Sequence, residues 1–142
     1  MSKGNTFEND LVKLIFNATA IGNIADNAAT SPLTNLYLSL HTADPGEAGD
    51  QTTNEATYTS YARVAVARSG SGFTISTNQV TLAANTDFPA CTGGTNTITH
   101  FGIGTAASGA GKLLYKGALS PSISVSNGVT PRINSGVIVT ED

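Results

Sequence analysis

The sequence predicts an all-β protein: a β-sandwich or barrel-like antiparallel body carrying an N-terminal helix and an extended arm. Three observations lead there. A helical period of apolar residues appears only before residue 20, and from residue 36 the apolar positions alternate with a period of two. Short alternating runs then recur, separated by Ser-Gly, Thr-Asn, Ser-Pro and Asn-Gly pairs, as in sheets closed by tight connections. The division that follows is residues 1–35 for helix and arm and 36–142 for the antiparallel β domain.

The helix is expected in "TFENDLVKLIFNAT", where Phe7, Leu11, Leu14, Ile15 and Ala18 fall on one face. Asn5 or Thr6 serves as N-cap, and Glu8 and Asp10 place negative charge where the helix dipole favours it. Segment 20–35 is poor in large side chains and reads as a connecting arm. The apolar helical face packs either on its own domain, the commoner arrangement, or on a neighbouring subunit, and because the arm is polar and able to span, docking on a neighbour is slightly favoured. Phe7, Leu11, Leu14 and Ile15 are therefore candidate partner-contact residues.

"LYLSLH" alternates Leu36, Leu38 and Leu40 against Tyr37, Ser39 and His41, the pattern of a half-buried strand. "TADPGEAGDQTTNEATYTS" is too polar for core and reads as an exposed loop. Strands follow at "YARVAVAR", "GFTIST", "QVTLAA", "TITHFGIGT", "KLLYKGAL", "SISVS" and "GVIVTE". Between two of them lies "GIGTAASGAGKLLY", which has the glycines of a phosphate loop without its fixed positions. Ala106 and Leu113 stand where a Walker loop needs Gly and Ser or Thr, so a hairpin is expected.

Composition narrows the function. Charged residues are 12% of the chain, about half the usual share. So neutral a surface suits a protein covered by neighbours or one living outside a cell. The net charge of −3 and seven scattered Lys and Arg argue against a nucleic-acid partner. No apolar run is long enough to span a membrane, and the N-terminus lacks a leader-like apolar stretch, so a protein made in a cytoplasm is expected. The single cysteine, Cys91, makes no internal disulfide and has no recognisable base beside it. His41, Asp44 and His100 fit no metal-ligand spacing, and Glu47, Asp50 and Glu55 lack the calcium-loop pattern. No cofactor, metal, small-molecule substrate or enzymatic activity is expected. Tyr58 and Tyr61 beside Arg63 are candidates for a protein-contact surface, against the plainer reading of strand-edge tyrosines.

"LYLSLHTADPGEAG", the "Y-x-R-V" of "YARVAVAR", and "TITHFGIGTAASGAGKLLYKGAL" resemble a family of small virion proteins of tailed bacteriophages, over roughly residues 36–142. The resemblance implies a structural protein of the virion, assembled in the host bacterial cytoplasm. Relatives are often labelled tail-fibre proteins, while similar small β-proteins decorate or cement the head. One compact domain with a short arm favours capsid decoration, with the major capsid protein as partner and a homotrimer as the assembly. The alternatives are a tail-fibre or baseplate protein, or a carbohydrate-binding β-sandwich, the last weakened by the absence of tryptophan.

Overall fold

The computed structural model describes residues 3, 5–21, 25 and 32–141. The elements are α1 (Asn5–Asn17), β1 (Asn35–His41), β2 (Val64–Ala67), β3 (Phe73–Ser76), β4 (Gln79–Leu82), β5 (Thr86–Asp87), β6 (Asn96–Gly104), β7 (Leu113–Val125), β8 (Arg132–Ile133) and β9 (Val137–Thr140). Three sheets form, ordered β2-β1-β6-β7, β3-β4-β9 and β5-β8. The pairs β1–β6, β6–β7, β3–β4, β4–β9 and β5–β8 are all antiparallel. An all-β antiparallel protein with one N-terminal helix is thus what the chain forms. It divides into two compact units, one of residues 1–35, 66–85 and 134–142, the other of residues 36–65 and 86–133. Residues 1–35 therefore share a unit with β3, β4 and β9.

In that first unit α1 buries Val12 and Phe16, which lie four residues apart and so on one helical face. The Phe16 ring meets the Phe73 ring of β3 edge-on, with centroids 4.9 Å apart. Val80 and Leu82 of β4 and Val139 of β9 complete the core, with Phe73 opposite Leu82 and Val80 opposite Val139. Arg68 caps the far end of the helix: its guanidinium donates to the carbonyls of Leu14, Ile15 and Leu33. The Leu14 and Ile15 carbonyls are among those a helix leaves without intrahelical donors, and its C-terminal dipole favours the cation. The apolar face expected from the sequence is displaced by one residue. Leu11, Leu14 and Ile15 are half-buried and Phe7 is exposed, because it is Phe16 that seats against Phe73. The arm expected over 20–35 lies largely outside the described residues.

In the second unit β1 runs between β2 and β6 and is buried on both faces. Leu36, Leu38 and Leu40 fill one face as expected, but Ser39 and His41, expected outside, are also fully buried. The cause is the segment that follows. Residues 42–56 close on themselves through Thr42 N–H donating to Asn54 O at 2.8 Å and fold back on β1 through Ala56 N–H to Leu40 O at 2.8 Å and a bridge between Glu55 and His41. The polar stretch read as an exposed loop is therefore partly interior, and it buries Pro45, Gln51 and Ala56.

The β6–β7 hairpin forms as expected, its tip closed by Thr105 N–H donating to Lys112 O at 3.1 Å. Its second arm differs from expectation, since "KLLYKGAL" and "SISVS" merge into one strand, β7. Pro121 is accommodated because β7 is an outer strand and the register slips opposite Ile98 and His100. The two-residue strands β5 and β8 carry too little pattern to be read from sequence. A pair of bonds from Arg132 to the Asp87 carboxylate holds them side by side and keeps that carboxyl below the usual carboxylate range.

Candidate functional site

The residues of greatest chemical interest gather where segment 42–63 meets β1 and the β6–β7 hairpin tip. Arg63 is the centre, with only 2% of its side chain exposed. Nε donates to Glu55 Oε1 at 2.6 Å and Nη2 to Glu55 Oε2 at 2.8 Å, a two-pronged pair of the kind a planar guanidinium forms best. The remaining donors reach the hairpin tip: Nη1 to Ala106 O at 3.0 Å and Nη2 to Gly109 O at 2.9 Å. Tyr61 closes the network, its hydroxyl donating to Glu55 Oε1 at 2.9 Å and accepting Leu40 N–H at 3.1 Å. Burial pushes that hydroxyl's pKa well up. One cation thus ties three separate stretches of chain together.

The hairpin tip answers the question its glycines raise. Two of its carbonyls converge on a guanidinium, whereas a phosphate cradle converges backbone N–H groups on an anion. The Ala106 N–H is itself taken by Gln51 Oε1 at 2.9 Å, and Gln51 N–H donates to Gly111 O at 3.1 Å. Gln51 is fully buried in a slot between Gly104 and Gly111, where a Cβ on either glycine would come within 2.1 Å of its side chain. The glycines are there to admit a side chain.

Ser39 and His41 show a nucleophile–base geometry. Nδ1 of His41 donates to Thr53 O at 2.8 Å, so Nε2 is the acceptor for the Ser39 hydroxyl, also at 2.8 Å. Burial holds the imidazole pKa below its ordinary value and keeps the ring neutral. Both side chains are 0% exposed. The space over them is closed: a Cβ on Gly102 would lie 2.7 Å from Ser39 Oγ and 2.9 Å from His41 Nε2. No substrate can reach this pair, which serves as an internal polar tie. Gly102→Ala is accordingly expected to cost about 1–3 kcal/mol by overpacking, measured as a lowered urea midpoint; a variant as stable as the parent would show that the strands relax freely there.

Of the residues expected at a partner surface, Tyr58, Tyr61 and Arg63 do come together, but they turn inward. Tyr58 is buried, donates to Pro89 O at 2.9 Å, and has its hydroxyl pKa pushed up to about 12 by burial. Its ring meets Tyr61 edge-on at 5.4 Å, and Tyr61 stacks on Phe88. Phe7 stays 41% exposed, while Leu11, Leu14 and Ile15 are half-buried. The roles of Glu55 and Gln51 escape a sequence reading, although Glu55, Tyr61 and Arg63 are close in sequence in a chain with few charges. Cys91 is buried, its Sγ–H donating to Gly93 O at 3.2 Å.

Two open depressions lie beside these residues, with their charged groups already paired. One of about 250 Å³ is lined by Glu55, Tyr61, Arg63 and residues 107–109, whose polar groups already serve the network above. Another, of about 320 Å³, lies between Gly46–Gly49 and Leu113–Lys116. There Lys116 Nζ lies 2.8 Å from Asp44 Oδ1 and 3.4 Å from Glu47 Oε1, and its hydrogen bond holds the Asp44 carboxyl below the usual range. Among the described residues no group of three His, Cys, Asp or Glu side chains is placed to hold a metal ion. No helix among them is long and apolar enough to cross a membrane.

Residues 3–141 match the family model described as Podophage GP4 fiber I protein gp80. No curated protein matches the chain.

Proposed function

The chain belongs to the podophage GP4 fiber I protein gp80 family and is a structural protein of a tailed-phage virion, and on that premise we propose that it is a non-catalytic subunit of the tail fibre. The observation that carries this reading is the family match, which extends over residues 3–141 and so takes in both compact units. Supporting it are the low charge of the chain and the use of its buried cation, serine, histidine and cysteine as internal ties. Chemistry on a substrate needs such groups at a cleft.

The subunit is proposed to assemble in the host cytoplasm as a homotrimer, since closed symmetry lets identical neutral surfaces cover one another. Phe7 and Leu33, the large apolar side chains that are exposed among the described residues, belong to the surface such an assembly would cover. Sedimentation at micromolar concentration is expected to give a trimer, and a monomer there would remove this part of the proposal. Position is tested by copy number in purified virions. A fibre subunit is expected at a handful to a few tens of copies, whereas hundreds would select the capsid-decoration reading, with the major capsid protein as partner.

A further inference from the structure

A buried histidine fastens the segment after β1 onto that strand, and we propose that it is an acid-sensitive latch: protonation of His41 releases residues 42–56 from β1 and withdraws Gln51 from its slot at the hairpin tip. The fastening is local and specific. His41 is fully buried, and its Nδ1–H reaches Thr53 O at 2.8 Å, in the middle of the segment. Around it the segment is tied to the rest of the chain by Ala56 N–H to Leu40 O, a bridge pairing His41 with Glu55, the Glu55 carboxylate on Arg63 and Tyr61, and Asp44 on Lys116, and Thr42 N–H to Asn54 O closes it on itself. Gln51 then reaches on to the tip through Gly111 O and Ala106 N–H.

Charging the ring in place is unfavourable on balance. The charged and titratable groups facing it are Glu55 on the segment, Arg63 beyond it, and His100, its cross-strand partner on β6. Glu55 favours the imidazolium, but its carboxylate is already engaged by both prongs of Arg63, while Arg63 and His100 oppose a second cation. Burial is the largest influence and also disfavours the charged form. The sign follows from linkage. With the latched pKa below the free value, the open form binds more protons in acid, so latching is at full strength above about pH 6.5 and weakens as pH falls through that value. Much of the segment is polar and is readily solvated once released, whereas β6 stays paired on both sides. Local opening is thereby separated from unfolding.

Hydrogen exchange on the intact chain, read as protection factors between pH 7.5 and 5, tests this. Protection at Thr42, Gln51, Ala56 and Ala106 is expected to fall, approaching tenfold per pH unit below about 6.5, while amides of β6 between Ile98 and Ile103 keep theirs. In His41→Gln, whose amide can still donate to Thr53 O, the pH dependence is expected to vanish; in His100→Gln it persists. Should His41→Gln fail to fold, an NMR titration of the wild-type imidazole must show protonation coinciding with the opening. Loss of protection in β6 at the same pH, persistence of the response in His41→Gln, a titration that does not coincide, or no opening at all would each overturn the latch.

Discussion

Replacing Arg63 by alanine is expected to destabilise the unit of residues 36–65 and 86–133 by about 3–5 kcal/mol, the usual cost of removing one partner of a buried ion pair. The loss is not that of a surface salt bridge, which is worth little, because the Arg63 side chain is 2% exposed and that of Glu55 17%. Without the guanidinium, the Glu55 carboxylate keeps only the Tyr61 hydroxyl, the Ala106 carbonyl loses the Arg63 donor, and the Gly109 carbonyl is left with the Gly111 N–H. Arg63→Lys retains the charge but cannot span both carboxylate oxygens and both carbonyls, so only part of the stability should return. Urea unfolding of the two variants decides the point. An alanine variant within 1 kcal/mol of the parent would mean that water replaces the network at little cost.

The second large effect is expected at Phe16. Truncation to alanine removes a fully buried ring from its edge contact with Phe73, at a cost of about 3–5 kcal/mol. Phe7→Ser, on the exposed side of the same helix, is expected to change stability by less than about 0.5 kcal/mol. The contrast separates two roles within one helix. Val12 and Phe16 hold α1 to its own unit, and Phe7 is exposed, on the surface proposed above to be covered by assembly. Thermal melting of both variants, followed by incorporation into virions, reads the two roles independently. A Phe16→Ala melt unchanged from the parent would mean that α1 contributes nothing to its unit, and a stable Phe7→Ser that still incorporates normally would remove Phe7 from the contact surface.

Much of the secondary structure was legible because period two survives wherever a strand has one wet face. β3, β4 and β9 are legible on that basis, whereas β6, buried on both faces from Phe101 to Gly104, is marked by the hairpin residues through Gly109 and Gly111 that follow it. Legibility failed where burial came from elsewhere in the chain. Ser39 and His41 look like the outer face of β1, and nothing near them in sequence announces that Thr53 and Gln51 will cover that face. In α1 the one-residue displacement arises because the position of Phe73, far along the chain, selects Phe16 as the anchoring ring. The network around Arg63 was half visible: the clustering of Tyr58, Tyr61 and Arg63 was apparent, but their direction was not. A guanidinium beside two tyrosines serves a partner or the interior equally well until its acceptors are known, and here those acceptors are Glu55, Ala106 and Gly109.

Gold labelling of the chain on intact virions, imaged by electron microscopy, tests the fibre assignment most directly. The expected result is label confined to the tail, on the fibres, at few sites per particle. Label distributed over the head, or particles that carry none, would contradict it.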